Sequence, residues 1–238
     1  MNKEFSILYE YNLEEVCTKF FEDGFVYLPS IKSLIDQNNI VSEAFDDIGE
    51  RTYSTDNPAQ KKLVKLMGLE KLFQGIYDRA THELKLEIQK DDRYFVSRKV
   101  NPGQSTEKYR AHFDSHLLTI VLPIQIPSDR NGRDQRGELK VVPNARKYPK
   151  SEIINIFQKA YWKKYASEEG FKKIAKKTNV ITEYFDDYRP LAFMGVTTFH
   201  GNNLVSDQAE ERLTFLCHLY DPSPSYGIGA TLRKLRRR

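Results

Sequence analysis

The spacing of hydrophobic positions changes along the chain near residue 93. Before that point it is helical. "NLEEVCTKFFEDG" places Leu13, Val16, Cys17, Phe20 and Phe21 at offsets 0, 3, 4, 7 and 8, the stripe of an amphipathic helix. Asn12 can cap that helix, with Glu15 three residues on completing a capping box, and Gly24 supplies the stop. "FVYLP" then reads as a short strand. "DNPAQKKLVKLMG" opens with Asn57 as cap and Pro58 at the first helical position. "LEKLFQGIYDRATHELKLEI" continues in helical period, so two or three helices are expected between residues 30 and 90.

From residue 93 the runs shorten and become β-branched and aromatic: "RYFVSRKV", "HLLTIVLPIQI", "GELKVVP", "LAFMGVTTFHG" and "ERLTFLCHLYD", each bounded by Pro, Gly, Asn or Asp. An insertion over about residues 150–180 breaks the series. Its apolar spacing is helical and its charge mostly positive, which suits either a solvated helix pair or a lid over a site on the sheet.

Helices first and strands afterwards predict an α+β chain built on a sandwich or barrel. In "RLTFLCHLY", Leu213, Phe215, Cys217 and Leu219 share one face, which must be covered, and the N-terminal helices are the available cover. Arg212, Thr214, Leu216, His218 and Tyr220 face the other way, into a polar cavity of the kind jelly-roll barrels enclose. An arginine in such a cavity suits an anion.

The chain's 238 residues suit one large domain. Residues 1–92 read as a helical layer, 93–222 as a barrel core carrying the insertion, and 223–238 as a basic tail. The pI of 8.8 is mostly that tail. "RKLRRR" holds five of the 37 Lys and Arg, leaving 32 basic residues against 33 acidic. A near-neutral body argues against a nucleic-acid partner. The tail reads as a solvated end or as a peripheral clamp on an anionic membrane or another polyanion. Cys17 and Cys217 are too few for a disulfide framework, the N-terminus has no apolar signal core, and no apolar run is long enough to cross a bilayer. A cytoplasmic protein is the expectation, with oligomeric state left open.

The candidate chemistry sits in "YRAHFDSHLL". His112, Asp114 and His116 alternate, so on a strand all three would share a face. His200, in "TTFHGNN", ends a predicted strand just before a turn, and Arg212 follows twelve residues later. Two imidazoles and a carboxylate suit the facial triad of non-haem Fe(II) oxygenases, and three ligands plus a water would equally suit catalytic zinc. Bland alternatives exist for each residue: a His112–Asp114 hydrogen bond at a strand edge, a turn histidine at 200, and a surface ion pair of Arg212 with Glu210 or Glu211.

The order His112-Phe113-Asp114, His200, Arg212-Leu213-Thr214 resembles the Fe(II)/2-oxoglutarate-dependent oxygenases. "FFEDGFVYLP" and "GELKVVPNAR" resemble the phytanoyl-CoA-dioxygenase-like members of that superfamily, and the likeness runs from about residue 13 to 220. The resemblance implies a double-stranded β-helix (jelly-roll, cupin-like) barrel with N-terminal helices packed on one sheet. It implies that His112, Asp114 and His200 hold Fe(II), and that Arg212 and Thr214 bind the distal carboxylate of the cosubstrate 2-oxoglutarate. O2 would complete the set, and hydroxylation would release succinate and CO2. Members that halogenate lack the carboxylate that Asp114 provides here. Arg98 and Tyr109, with Lys99 and Lys108 beside them, are candidates for binding an acidic substrate or the cosubstrate, and the substrate is expected to be a small-molecule, lipid-linked or saccharide compound. His116 and His218 are expected as cavity lining or core. The rival readings are a zinc hydrolase or isomerase and a non-catalytic binding module.

Overall fold

The computed structural model describes residues 10–104, 110–128 and 135–227. Helix α1 (Leu13–Asp23) has the expected ends: the Asn12 side chain accepts from the Glu15 N–H, and Gly24 takes a left-handed φ of 80°. After β1 (Phe25–Tyr27) come α2 (Lys32–Gln37), α3 (Ile40–Ile48), β2 (Tyr53–Thr55), α4 (Pro58–Leu66) and α5 (Leu69–His82). Asn57 caps α4 through the N–H groups of Ala59 and Gln60, with Pro58 in the first turn. Helix α5 stops short of the expected "ELKLEI" segment, and Lys85 turns the backbone at φ 54°. The region thus holds four short helices and a strand, more pieces than the two or three helices expected.

The remaining elements are β3 (Arg93–Val100), β4 (Leu118–Gln125), β5 (Leu139–Val142), α6 (Glu152–Lys163), α7 (Glu168–Ala175), β6 (Ile181–Glu183), β7 (Leu191–Met194), β8 (Phe199–Asn202), β9 (Arg212–Leu219) and α8 (Ser223–Tyr226). All pairings are antiparallel, in a six-stranded sheet ordered β1-β7-β4-β9-β3-β2 and a three-stranded sheet ordered β6-β5-β8. "LAFMGVTTFHG", expected as one strand, is two strands in different sheets. A turn at Gly195–Thr197 separates them, closed by the Thr197 and Thr198 N–H groups on the Met194 carbonyl.

The alternation in β9 sorts its side chains as the sequence predicts. Leu213, Phe215, Cys217 and Leu219 are fully buried in one cluster with Phe20, Leu63, Phe73 and Ile76 from the helical layer. The other face of the large sheet looks toward the small one. Val121, Leu191 and Phe193 from the first meet Leu139 and Val141 from the second. Every fully buried Leu or Phe of this kind contributes about 1.5–3 kcal/mol of burial, so the two layers fix the sheets firmly.

Helices α6 and α7 occupy the predicted insertion. They pack on a third cluster in which Trp162 and Phe171 meet Phe113, Val142 and Phe199. At the C-terminal end, Ser223–Tyr226 is helical and Tyr226 packs edge-on against Tyr148. The basic run 233–238 lies outside the described residues. Among the described residues no helix is long and apolar enough to cross a membrane.

Candidate metal centre

Three ligand-type side chains converge between the sheets. One Nε2 or Nδ1 or carboxylate atom each from His112, Asp114 and His200 lies within 4.8 Å of the other two. The Asp114 oxygens divide the histidines. Oδ1 faces His112 Nε2 at 3.2 Å and Oδ2 faces His200 Nε2 at 3.6 Å. No other such cluster of His, Cys, Asp or Glu occurs among the described residues.

The backbone brings them together in a way that differs from the expected strand. His112 forms an isolated bridge with His200, each N–H donating to the other's carbonyl at 2.9 and 3.1 Å. Residues 113–117 leave the ladder, and β4 begins only at Leu118. His116 therefore does not share the face of His112 and Asp114. It turns toward Asp92, with Nε2 3.4 Å from Oδ2. Gly195 lets the turn after β7 close on this loop. A Cβ there would lie 2.7 Å from the His116 carbonyl oxygen, 2.8 Å from Asp114 Cβ and 2.8 Å from Thr119 Oγ1.

Neighbouring groups set tautomer and charge. His112 Nδ1 lies 2.7 Å from the Arg110 carbonyl and His200 Nδ1 3.2 Å from the Thr198 carbonyl. A carbonyl can only accept, so both Nδ1 atoms carry the proton and Nε2 is the atom available to a ligand. Burial pushes His200 down to about 4, so it stays neutral. Burial would also lower His112, but the Asp114 carboxylate outweighs it and the net shift is upward. Burial would raise Asp114, but His200, His112 and His218 hold it well below the ordinary carboxylate range. The centre is therefore an ionised carboxylate between two imidazoles.

Thr119, which sequence reasoning passed over, and His218, expected as cavity lining or core, complete the surroundings. Thr119 Oγ1 donates to Asp114 Oδ2 at 2.6 Å, and His218 Nδ1 lies 3.1 Å from that hydroxyl and 3.7 Å from the same oxygen. Alternation alone could have placed Thr119 as it placed His218. Thr119 pairs with His218 across β4 and β9, on the face that also carries Leu216, Thr214 and Arg212.

Arg212 lies in the same cavity as the triad, which is also lined by Arg98, Thr214, Phe193 and Leu216. It is only 2% exposed, so the surface ion pair with Glu210 or Glu211 does not form. Its guanidinium makes no hydrogen bond or ion pair with any described residue, and it lies 6.0 Å from the Phe185 ring centroid. The nearby Glu138 carboxylate is already engaged by the Asn203 amide and the Arg136 N–H. Burial and then the neighbouring Arg98 push the guanidinium down to about 9. A buried cation with five donors and no anion bonded to it among the described residues is costly unless a ligand supplies one.

Arg98 pairs in register with Thr214 and faces the cavity. Lys99, one residue on, turns to the helical side, where its Nζ donates to the Gly49 carbonyl at 2.6 Å. Tyr109 and Lys108 lie outside the described residues.

No family model matches the chain, and no curated protein matches it in sequence. Its fold is nevertheless similar to that of known enzymes. A Pseudomonas putida prolyl-4-hydroxylase is 14% identical, with 90% of this chain and 97% of that one covered and a TM-score of 0.56. A prolyl 4-hydroxylase from Phytophthora capsici is also 14% identical, covering 95% of this chain and 72% of that one, with a TM-score of 0.53. The non-heme alpha-ketoglutarate-dependent carbocyclase SnoK, from nogalamycin biosynthesis, is 13% identical over 87% of this chain and 83% of its own, with a TM-score of 0.51. At such identities the likeness is one of fold: antiparallel sheets and helices arranged as in these enzymes.

Proposed function

We propose that this protein is a non-haem Fe(II)/2-oxoglutarate-dependent oxygenase of the phytanoyl-CoA-dioxygenase-like kind, its two sheets forming the jelly-roll barrel of that superfamily. Its substrate is a small-molecule, lipid-linked or saccharide compound, which it hydroxylates. The observation that carries the reading is the buried Arg212 guanidinium, without an ion-pair partner among the described residues, in the same cavity as the His112–Asp114–His200 cluster. A dicarboxylate reaching from the cluster to Arg212 answers both features at once.

The donor set fits iron. It comprises two imidazoles whose Nε2 atoms face one carboxylate and whose Nδ1 protons are fixed on backbone carbonyls. His112, Asp114 and His200 would hold the iron. Bound there, iron with 2-oxoglutarate and O2 would supply the oxidising power of a hydroxylation that yields succinate and CO2. The protein's own residues do the rest. Arg212 neutralises and orients the far carboxylate, with Thr214 beside it as a hydroxyl donor. Asp114 stays ionised, His200 stays neutral, and Val121, Phe193 and Leu216 supply apolar lining between the polar groups. Arg98 lies where substrate would approach.

The zinc reading uses the same three ligands but gives Arg212 no anion. Purified protein supplied with Fe(II), 2-oxoglutarate and O2 should release succinate, and Asp114→Ala should abolish that release. Hydrolytic activity restored by zinc, with no succinate under any condition, would overturn the proposal.

A further inference from the structure

Helix α6 has its polarity reversed. Ile153, Ile156, Phe157 and Tyr161 fall at offsets 0, 3, 4 and 8, the spacing that in α1 turns inward. Yet they are 66%, 58%, 71% and 54% exposed. With Ile154, the helix holds five of the eight large hydrophobic side chains exposed among the described residues.

The opposite face carries polar residues that the fold needs inside. Asn155 is buried. Its Oδ1 accepts from Arg146 Nη1 at 2.9 Å, and Gln158 Oε1 accepts from the same nitrogen at 3.3 Å. Arg146 Nε in turn donates to the Val196 carbonyl at 2.7 Å, and its guanidinium lies 4.1 Å from the Phe113 ring centroid. Trp162 packs on Phe113 and Phe199, at 5.8 and 5.1 Å between centroids. Rotating the helix to bury its apolar stripe would strand Arg146 and withdraw Trp162. The outward stripe is thus built into the fold, and apolar patches of this kind mark interaction surfaces.

Charge identifies what covers it. Residues 150–180 hold eight lysines and three glutamates. Lys163 and Lys164 are exposed at the end of α6, and Lys172, Lys173, Lys176 and Lys177 are exposed on or just after α7. A two-fold contact with a second copy would set this lysine-rich segment against itself, which is unfavourable. An apolar helical face bordered by lysines matches the boundary of a bilayer whose headgroups are negative. We infer that the exposed face of α6 docks the protein on an anionic lipid surface, with Ile153, Ile156, Phe157 and Tyr161 entering the headgroup boundary. Lys163 and Ala166 also line the broad cleft that runs past Arg98 and Arg110 to His112, so docking brings the mouth of that cleft to the membrane. The inference does not rest on the oxidative reading, and its test needs no turnover.

The test is co-sedimentation of the full chain with phosphatidylcholine vesicles, with and without phosphatidylserine. Binding is expected only with phosphatidylserine, and it weakens as salt rises. Ile153→Ser with Phe157→Ser leaves net charge unchanged and touches no core, and it should weaken binding by about tenfold or more while the melting temperature holds. Lys163→Gln with Lys164→Gln should weaken it too, whereas a chain lacking residues 233–238 should keep α6-dependent binding. Absence of binding by the wild type would overturn the inference, as would binding that survives the Ser pair but is lost with the tail. So would light scattering in which the Ser pair turns a dimer into a monomer, because the face would then be a self-association surface.

Discussion

Thr119 Oγ1 donates a 2.6 Å hydrogen bond to Asp114 Oδ2, the carboxylate oxygen that faces His200. Asp114 sits on an irregular loop, whereas Thr119 is held in β4 by pairing with both β7 and β9. The bond therefore lends the rigidity of the sheet to a loop residue. Groups that orient a metal-binding side chain in this way are typically worth 10–100-fold in metal affinity. Thr119→Val keeps the β-branched shape and removes the donor. Fe(II) or Mn(II) titration of the apoprotein should show affinity lowered on the order of tenfold, with the unfolding midpoint little changed.

Arg212 is predicted to separate cosubstrate binding from metal binding. Arg212→Ala leaves the triad intact but removes the buried guanidinium that lines the cavity beside Thr214. 2-Oxoglutarate affinity should fall on the order of 100-fold, as expected for a lost bidentate contact in a buried site. Metal affinity should stay within about a factor of three, well short of the losses seen when groups that orient a ligand are removed. Arg212→Lys should rescue only part, because an ammonium cannot offer the planar fork. Equilibrium titrations of metal and of 2-oxoglutarate, made separately on each variant, check this.

Gly195→Ala tests the close approach behind Asp114. The added methyl would meet the His116 carbonyl, Asp114 Cβ and Thr119 Oγ1, all under 3 Å. Overpacking of this kind costs about 1–3 kcal/mol, and the displaced atoms belong to the site. Urea unfolding should show the loss, and metal affinity should fall with it. An unchanged affinity would mean that the loop relaxes without moving the carboxylate.

Burial holds several acidic groups protonated in the fold. It pushes Cys17 up to about 11, and Cys217, Tyr220 and Tyr226 up to about 12. In the unfolded chain these groups ionise near their ordinary values of 9.0 for cysteine and 10.0 for tyrosine. Above pH 9 the unfolded state therefore binds fewer protons than the native one, and stability falls as pH rises. Urea midpoints measured from about pH 8 to 10.5 should decline steadily, with the slope steepening above about 9. Neither cysteine should react with a thiol reagent at about pH 8 until the protein unfolds.

Legibility in the sequence followed local signals. Helix α1 could be read with both its ends, because the Asn12 cap and the Gly24 left-handed turn are written in residue type. The inner and outer faces of β9 followed from alternation, and so did the burial of Arg212. The break at Gly195 could not be read. It falls inside a run otherwise of strand-forming residues, Val196, Thr197 and Thr198 included, and the approach of the Asp114 loop explains the glycine. Strands β2 and β6 are three residues long and exist through their partners, so they carry no periodic signal. Thr119 looked like an ordinary strand residue because its role depends on a loop that meets it in space, whereas His218 was legible as cavity lining from alternation. The orientation of α6 was hidden for a related reason. Its helical spacing left a solvated pair and a lid equally open, and the residue that turns the stripe outward, Arg146, lies on a separate segment.

The most direct measurement is anaerobic addition of 2-oxoglutarate to the Fe(II)-loaded protein, followed through the weak visible charge-transfer absorption of the chelated keto acid. The wild type should develop the band with saturable dependence on 2-oxoglutarate, and His200→Ala should not. A band of equal strength in His200→Ala, or none in the wild type at saturating iron and 2-oxoglutarate, would contradict the assignment of this cavity.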